Sequence, residues 1–562
     1  MAYQLRCAKA ALSICKGCVS ARFEHPVVCT KCSGKTAGLF ALPRPLPLAY
    51  TPAMPSFPRR DFLTGSLATV ALASCSPKCG SPAAIAPDSA RPLLPCGVQT
   101  GDPTPDGVVL WSKTDRPARM LVEWSADAAF KTTTRLEANV TTAASDFTSQ
   151  IQLSGLPPGR PIYYRVVFEA DDSGRAKSEP VLGSFRAVPI DNTNTRLVWS
   201  GDTAGQGFGI DLARGGMKTY GAITRLSPDL FLHSGDRIYA DNPLPERIKL
   251  ADGTEWKNIV TDAKQHVAQT LADFRGNFSY NFLDEHVRRL SASCAMIAQW
   301  DDHEVHNNWY PGEILQDDRY QERRASVLAG FARQAMEEYS PIRKGPIHRL
   351  LRQGPRLSIY VLDARSFRNP NGKNREEQGE APILGKDQVD WLLREIQKDN
   401  ATWKIIACDQ PLGLIIPDPA GQEGFANGDG PPLGREREIA SILTTLKQNK
   451  IKNLLWLTAD VHYAAAHHFD PQRALFKDFD PFWEFVAGPL HAGTFGPNAL
   501  DSTFGPEVKF INREPGAKQN LWPSAGSQSF GKLDVDGKSG HLRATLHDGD
   551  GAEMWGVDLE PV

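Results

Sequence analysis

Residues 300–308 (WDDHEVHNN) place two aspartates, two histidines, a glutamate and two asparagines in one short segment. Carboxylate, imidazole and amide groups are the side chains that bind metal ions and transfer protons. The segment directly follows CAMIAQ, an apolar run typical of a buried strand. It therefore predicts either a metal site at a strand end or a polar surface loop.

Six apolar runs of strand type end in aspartate. They are RLVWSGD (Asp202), DLFLHSGD (Asp236), AMIAQWDD (Asp301 and Asp302), SIYVLD (Asp363), KIIACD (Asp409) and NLLWLTAD (Asp460). Continuously apolar strands are buried on both faces, and ligands of such sheets lie beyond the strand ends. A single aspartate there is commonly a turn former or helix cap. Several carboxylates repel one another unless cations neutralise them, so the set favours metal binding at one rim of a sheet.

Some of these strand ends carry further potential ligands. HSGDRIYADN adds Tyr239, whose phenol can bind a hard cation such as ferric iron. TADVH adds His462, two residues after Asp460 and so on the same side of an extended segment. Arg365, in LDARSFR, has a planar guanidinium that matches two phosphate oxygens. It is a candidate phosphate clamp, with a structural ion pair to Asp363 as the alternative.

The pattern of strands and helices predicts two folded parts in this chain of 562 residues. Residues 94–190 hold short strands such as GVVLWSKT and PIYYRVVFEA, which indicate a β-sandwich. Its segment LPPG followed by YYR resembles the tyrosine corner of fibronectin type III modules. Residues 195–562 combine strands with helical periodicity, which recurs at Val389, Leu392, Leu393 and Ile396 and at Ile439, Ile442, Leu443 and Leu446. We expect an α/β catalytic domain there.

Composition excludes some classes of protein. The net charge of −2 and the lack of a basic run argue against a nucleic-acid-binding module. No stretch of about 18 apolar residues is present, so no mature membrane-spanning helix is expected. Cys294 and Cys408 lie in apolar runs and are expected to be buried thiols.

Residues 59–75 (RRDFLTGSLATVALASC) have the charged start and apolar middle of an export signal. The segment resembles a twin-arginine signal, and LASC resembles a lipobox that would make Cys75 the lipidated first residue. A short buried helix is the alternative. We expect the twin-arginine export machinery as a partner, a lipid anchor at Cys75, a linker over residues 76–93, and a periplasmic or cell-surface location.

Residues 1–58 precede this signal, although export signals begin near the start codon. Met54 stands where an initiator would belong, five residues before Arg59. Two Cys-x-x-Cys pairs, beginning at Cys15 and Cys29, resemble a small zinc ribbon, but a zinc module ahead of an export signal has little purpose. We expect residues 1–58 to be a leader or to reflect a mis-assigned start.

In chain order the motifs read GD, GD-x-x-Y, DHE and D-x-H. This order resembles the signature of calcineurin-like metallophosphoesterases, with Asp302 replacing the asparagine of GNHE and Asp460 replacing the first histidine of GHxH. HSGDRIY and WDDHEVHNN resemble one branch, the alkaline phosphatase D (PhoD-like) family, over roughly residues 94–562. The resemblance implies a metallophosphoesterase β-sandwich flanked by helices and preceded by an all-β fibronectin III/Ig-like domain.

The resemblance also implies residue roles. Asp236 bridges two metal ions. Asp202, Tyr239 and His462 complete one metal, and Asp302 or Asn307 holds the second with Asp460. His303 protonates the leaving group, and Asp302 is a further predicted catalytic residue. Arg365 is predicted as catalytic from its guanidinium geometry.

The implied cofactors are two or more divalent or trivalent ions, with Ca²⁺ expected, Fe³⁺ as a further candidate, and Mg²⁺ or Mn²⁺ as alternatives. Many members carry a cysteine near the position of Asp202, whereas Ser200 and Gly201 precede it here. Loss of a thiolate disfavours iron, and an oxygen-rich site suits Ca²⁺, Mg²⁺ or Mn²⁺.

The predicted function is that of an exported, metal-dependent alkaline phosphatase/phosphodiesterase that hydrolyses phosphate esters through a bimetal-activated hydroxide. One alternative is a phospholipase D-like phosphodiesterase acting on phospholipid head groups. Another is a non-catalytic surface-binding protein, against which the intact acidic and histidine positions argue.

Overall fold

The computed structural model describes residues 88–172 and 174–562. The predicted leader (1–58), the export signal (59–75) with Cys75, and the linker up to residue 87 lie outside the described residues. Within the described ranges, no helix combines the length and apolar character that crossing a bilayer requires.

Strands dominate the described part of the chain. In chain order they are β1 (Val98–Thr104), β2 (Gly107–Lys113), β3 (Ala118–Ser125), β4 (Thr134–Val140), β5 (Thr148–Ser154), β6 (Pro161–Ala170), β7 (Val181–Arg186), β8 (Thr195–Ser200), β9 (Leu230–Ser234), β10 (Arg247–Lys249), β11 (Glu255–Lys257), β12 (Ala295–Gln299), β13 (Arg349–Arg352), β14 (Leu357–Val361), β15 (Trp403–Ala407), β16 (Pro417–Asp418), β17 (Gly421–Gln422), β18 (Leu454–Thr458), β19 (Ala465–Phe469), β20 (Phe482–Val486), β21 (Pro506–Ile511), β22 (Ser529–Val535), β23 (Leu542–Asp548) and β24 (Glu553–Leu559). The α-helices are α1 (Lys218–Arg225), α2 (Leu271–Asn281), α3 (Glu285–Ser291), α4 (Ala325–Tyr339), α5 (Lys386–Gln397) and α6 (Glu436–Gln448).

Two large sheets carry the six aspartate-terminated strands. The first sheet has the order β24-β23-β22-β8-β9-β12-β1-β2-β5, and the second has the order β13-β14-β15-β18-β20-β19-β21. β8, β9 and β12 run parallel to one another, as do β14, β15 and β18. The carboxyl ends of parallel neighbours meet at one edge of their sheet. The six ends are thus divided equally between two sheets, which corrects the expectation of a single sheet rim.

Successive side chains of a strand point to opposite faces of its sheet. Each large sheet therefore packs against the other sheet on one face and against helices on the other. One buried cluster contains Leu230 and Ile297 of the first sheet together with Ile405 and Leu455 of the second, so this core includes both sheets. Intervening residues of the first sheet share a cluster with residues of α1 to α4. Those of the second sheet share a cluster with residues of α5 and α6. The fold is therefore a mixed α/β fold rich in sheet.

The segment predicted as a separate sandwich contributes to two sheets. β4-β3-β6-β7 form a four-stranded sheet of their own, whereas β1, β2 and β5 extend the first large sheet. The join is a parallel pairing of β1 with β12, in which Thr100 faces Ala295 and Gly101 faces Met296. The predicted boundary near residue 190 is therefore not a break in the sheet. Strand pairing between such distant segments leaves no local sequence signal.

Other predictions are confirmed. The two periodic segments form α5 and α6, and all four periodic positions of α6 are buried. Cys294 and Cys408 are free, buried thiols, as is Cys96.

Two glycine substitutions test this architecture with opposite expected signs. Gly330 is exposed inside α4, and a Cβ added there would meet open space. We expect Gly330→Ala to raise the free energy of unfolding by about 0.5–1 kcal/mol, because alanine loses less backbone entropy in a helix. Urea denaturation of both proteins measures the difference.

Gly101→Ala is the matched control at the β1–β12 junction. Its Cβ would stand 2.5 Å from the Met296 carbonyl oxygen and 2.6 Å from that of Pro341. We expect a loss of stability, because a backbone atom cannot yield as a flexible side chain does. An unchanged unfolding free energy for Gly101→Ala would contradict the join between the two segments.

Candidate metal centre

Four of the predicted ligands have an unusual backbone conformation. Asp202, Asp236 and Asp460 lie two residues beyond β8, β9 and β18, with φ of +66°, +52° and +66°, and His462 has φ of +61°. The left-handed region is costly for residues with a Cβ, and such strain concentrates at functional sites. The strand exits therefore turn sharply where the predicted ligands lie.

The first two turns are fixed by backbone hydrogen bonds. The amide of Thr203 donates to the Asp236 carbonyl (2.8 Å), and the amide of His491 donates to the Asp202 carbonyl (3.0 Å). Asp202 is thereby held between the loop after β9 and a loop of the second half of the chain.

Glu304 connects two of the strand ends. Its buried carboxylate accepts three backbone N–H groups, from Asp236 (3.0 Å), Arg237 (2.6 Å) and Asp301 (2.8 Å). Burial raises the pKa of Glu304 to about 7, against the lowering effect of these hydrogen bonds. Glu304 thus fixes the loops after β9 and β12 relative to each other.

Three overlapping groups of side chains come close enough to bind ions. They are Asp202, Asp236 and His462; Asp236, Asp302 and His303; and Asp301, Asp302 and Asp460, and within each group one ligand atom per residue lies within 4.8 Å of the others. Asp236 and Asp302 each belong to two groups. Shared carboxylates between adjacent groups are the arrangement expected where neighbouring ions have common ligands.

The first group also includes the phenol of Tyr239. Its Oη lies 3.0 Å from His462 Nε2 and 3.5 Å from Asp202 Oδ1, and all three residues are buried. His462 Nδ1 hydrogen-bonds the Gly493 carbonyl, which leaves Nε2 as the nitrogen available to a ligand. Burial lowers the pKa of His462 to about 4, so the ring is neutral near pH 7, as metal binding requires.

His303 forms a buried pair with Asp241. Its Nδ1 lies 2.8 Å from Asp241 Oδ1, and its ring stacks on Tyr239 with centroids 4.2 Å apart. Burial alone lowers the pKa of His303, but the carboxylates of Asp241, Asp302 and Asp236 outweigh it and raise the pKa well above its ordinary value. These carboxylates therefore favour the protonated form of His303, and the Asp241 contact and the stacking on Tyr239 hold its ring in one orientation.

The buried carboxylates fit a cation site. Burial raises the pKa of Asp202 to about 8, with Asp302 and Glu304 adding to the increase and His303 opposing it. Burial, with added repulsion from acidic neighbours, also raises the pKa of Asp236 and Asp460 well above ordinary values. Asp202 Oδ2 and Asp302 Oδ1 are buried and have no hydrogen-bond partner among the described residues. Oxygens of this kind are available to hard cations.

Arg365 has neither of its two predicted roles, the phosphate clamp or the ion pair with Asp363. Its side chain is 0% exposed, and the guanidinium contacts Asp301 and Glu423. The backbone N–H of Arg365 donates to Asp363 (3.1 Å), but its guanidinium does not contact this carboxylate, so the predicted ion pair is wrong. A guanidinium that is closed off from solvent and committed to carboxylates cannot clamp a substrate phosphate, which corrects the catalytic assignment.

Two further predicted positions lie apart from the groups. Asn307 is exposed, and its backbone N–H donates to Asp241 Oδ2 (3.0 Å), so its role as a ligand stays a prediction. Asp363 Oδ1 accepts from Trp300 Nε1 (2.9 Å) and from the Ser366 amide (2.9 Å), which makes it a turn-forming residue.

Known proteins resemble this chain in sequence and in fold. The sequence profile of the PhoD-like phosphatases matches residues 197–546, and that of the PhoD-like phosphatase N-terminal domain matches residues 79–189. The chain belongs to the PhoD-like phosphatase family. The resemblance inferred from the motifs is confirmed, and this PhoD-like phosphatase is a metal-dependent phosphoric ester hydrolase.

Individual relatives extend the comparison. The chain is 26% identical to alkaline phosphatase D of Bacillus subtilis (strain 168) over 456 residues, which cover 74% of this chain and 73% of that protein. A solved structure of PhoD aligns with a TM-score of 0.63 at 19% identity, covering 84% of this chain and 90% of that one. A purple acid phosphatase from yellow lupin (Lupinus luteus) seeds shares the fold, with a TM-score of 0.50, 13% identity, and coverage of 84% and 74%.

Sequence reasoning missed two residues of this PhoD-like phosphatase. Asp241 lies in DRIYADN, five residues after Asp236, and its place in the same strand-exit loop could have identified it. Glu423 lies in a long irregular loop without any flanking motif, so only the folded chain shows its contact with Arg365.

Glu304→Gln tests the connection between the strand ends. An amide replaces one acceptor oxygen by an N–H₂ group that faces backbone N–H donors, so one or two hydrogen bonds are lost. We expect about 10-fold or greater weakening of metal binding, the range typical of residues that support ligands. Metal content after dialysis against graded free Mn²⁺ measures the effect.

Glu438→Gln is the matched control. Glu438 likewise accepts three backbone N–H groups, from Ile383, Leu384 and Gly385, at the start of α5. The Glu438→Gln variant should lose about as much stability as Glu304→Gln and should keep wild-type metal affinity. Equal metal affinity in both variants would show that Glu304 does not position the ligands.

The raised pKa of Asp202 predicts pH-dependent metal binding. Without metal, this carboxyl is protonated below pH 8, and an ion must displace its proton. Affinity should therefore rise with pH by about tenfold per unit below pH 8 from Asp202 alone, and Asp236 and Asp460, whose pKa values are also raised, add to the rise. Titration of the metal-stripped protein with Mn²⁺ between pH 6 and 9 tests this, and a flat profile would contradict the assignment.

Proposed function

We propose that the protein is an exported alkaline phosphatase/phosphodiesterase whose multi-metal centre consists of the three overlapping groups. The single observation that carries the proposal is the sharing of Asp236 and Asp302 between adjacent groups. Membership of the PhoD-like family supports the phosphate ester as substrate. The helices outside two sheets support a metallophosphoesterase fold, which we propose is preceded by a fibronectin III/Ig-like segment.

The ligand assignment follows the groups. Asp202, Asp236, Tyr239 and His462 would hold one ion, and Asp302 with Asp460 would hold the other. Asp236, which also groups with Asp302, would be the carboxylate shared between them. When bound, the ions neutralise the charge of the phosphate and make water acidic enough to attack near neutral pH. The protein's own contribution is to hold these side chains on strained strand exits before substrate arrives.

His303 acts as the proton donor to the leaving oxygen. Its pairing with Asp241 fixes the ring through Nδ1, and Nε2 is then the remaining donor of the protonated imidazole. A phosphodiester with a basic alkoxide leaving group needs this proton most, because the alkoxide is a poor leaving group without it.

The donor atoms favour hard cations. Carboxylate and phenol oxygens dominate the proposed ligands, with imidazole nitrogen from His462, and no cysteine of the described residues belongs to the three groups. We assign Ca²⁺ to the all-carboxylate group, with Mg²⁺ or Mn²⁺ as alternatives. Fe³⁺ is the candidate for the group that contains Tyr239. Export by the twin-arginine route, with anchoring at Cys75 in the periplasm or at the cell surface, completes the proposal.

Hydrolysis assays on the full-length chain test this function. We expect p-nitrophenyl phosphate or bis-p-nitrophenyl phosphate to be cleaved in the presence of Ca²⁺ or Mn²⁺, and chelation to abolish the activity. Asp236→Asn should lower kcat about 100-fold or more, since even a residue that only supports a ligand costs ~10–100-fold. Full activity in Asp236→Asn would rule out the shared-ligand centre.

A leaving-group series isolates the role of His303. His303→Asn should slow hydrolysis of alkyl phosphodiesters by about 10²–10⁴-fold, while p-nitrophenyl esters lose much less because their leaving group needs no proton. An equal loss for both substrates would exclude His303 as the proton donor. Choline release from phosphatidylcholine, measured in parallel, would instead favour the function of a phospholipase D-like phosphodiesterase.

A further inference from the structure

Arg365 is a buried cation surrounded by carboxylates. Its Nε lies 2.6 Å from Asp301 Oδ1, and its Nη1 donates to Glu423. Asp409 Oδ2 lies 3.6 Å from Nε, and Asp302 Oδ1 lies 3.9 Å from Nη2. The side chain is 0% exposed, so all of these charges interact with little screening by water.

The partners of Arg365 come from both large sheets. Asp301 and Asp302 follow β12 of the first sheet, whereas Arg365 follows β14 and Asp409 follows β15 of the second. The ion pair with Asp301 therefore crosses from one sheet to the other at the metal centre. Removing Arg365 would leave the buried carboxylates around it without this compensating charge, which is costly.

The two residues before Asp301 cross between the sheets in the same way. Gln299 Nε2 donates to the carbonyls of Leu362 (2.8 Å) and Ala407 (3.1 Å). Trp300 Nε1 donates to Asp363 Oδ1 (2.9 Å). Three consecutive side chains, ending with that of Asp301, thus fix the exit of β12 against the second sheet.

The contact with Arg365 makes the surroundings of the adjacent carboxylates of Asp301 and Asp302 different. Asp301 has an oxygen bound to Arg365, whereas Asp302 Oδ1 has no hydrogen-bond partner among the described residues. Both belong to the group that includes Asp460. Asp302 Oδ1 lies 3.9 Å from Arg365 Nη2, beyond hydrogen-bond distance, while Asp302 Oδ2 accepts the backbone N–H of Asn308 (2.6 Å).

We propose that Arg365 is a positioning residue that retains Asp301 as its counter-ion and thereby presents Asp302, rather than Asp301, to the metal. The inference rests on the proposed function, in which Asp302 is a ligand. Arg365 itself touches neither substrate nor the reacting atoms.

Metal content and steady-state kinetics of the full-length chain test this. Arg365→Met should raise the free Ca²⁺ or Mn²⁺ concentration at half-maximal metal content about 10-fold or more, as loss of a ligand-orienting partner does. Arg365→Lys keeps the charge without the planar fork and should recover part of the affinity. Excess metal should restore kcat in Arg365→Met, with KM for a phosphodiester unchanged, because a positioning residue does not bind substrate.

A double variant shows whether Arg365 and Asp301 act as one unit. If they do, Arg365→Met combined with Asp301→Asn binds metal no more weakly than Arg365→Met alone. Additive losses would mean that Asp301 is itself a ligand and would overturn the inference. If the single Arg365→Met chain does not fold, the double variant, which removes both charges of the pair, is compared with Asp301→Asn instead, and equal metal affinity of these two is expected.

Arg368→Met is the matched control. Arg368 is equally buried and pairs with Glu423 at 2.8 Å, but its recorded ion pairs and hydrogen bonds do not involve Asp301 or Asp302. It should lose stability while its half-saturating metal concentration stays within about twofold of wild type, well below the ~10-fold expected of a ligand-supporting residue.

The remaining outcomes separate the two hypotheses. Wild-type metal affinity in Arg365→Met, or a raised KM at unchanged metal affinity, would overturn the positioning role alone. A wild-type chain that binds neither cation, or an Asp302→Asn variant that binds metal normally, would overturn the proposed function as well.

Discussion

The repulsion among buried carboxylates at the meeting edge of two sheets is the constraint on which the rest of this structure depends. Asp202, Asp236, Asp301, Asp302 and Asp460 converge there from separate strand exits. Burial raises the free energy of each charged form, and every carboxylate adds to the repulsion felt by the others. Such an arrangement is stable only with compensating positive charge, and the protein supplies part of it through His303 and Arg365.

The two compensating cations have different tasks. His303 lies among the carboxylates of the shared groups and carries a proton that it can give away. Arg365 lies behind the second group and cannot lose its charge under any ordinary condition. His303 is thus suited to proton transfer, and Arg365 is suited to holding the carboxylates in position. Metal ions supply the remaining charge, consistent with the requirement of PhoD-like phosphatases for metal.

The surrounding strands and loops hold this centre in a fixed arrangement. Parallel strands bring three exits to one edge in each sheet, and left-handed backbone at Asp202, Asp236, Asp460 and His462, the predicted ligands, turns the chain sharply there. Glu304 fixes two exits within the first sheet, and Gln299, Trp300 and Asp301 fix the β12 exit against the second. The centre is therefore held from several independent directions.

The sequence by itself determined the family, the chemical class of the ligands and the strand ends that bear them, because buried parallel strands are continuously apolar and their exits are short and local. The motifs around Asp236, Asp302 and His462 are contiguous, so their types and spacing were sufficient. The tertiary structure alone decided that the strand ends belong to two sheets, that β1 extends the catalytic sheet, and that Asp241 orients His303. It also decided that Arg365 serves Asp301 and Glu423 rather than substrate. Those outcomes depend on pairings between residues far apart in the chain, and the energy of a buried charge depends on neighbours that no local pattern specifies.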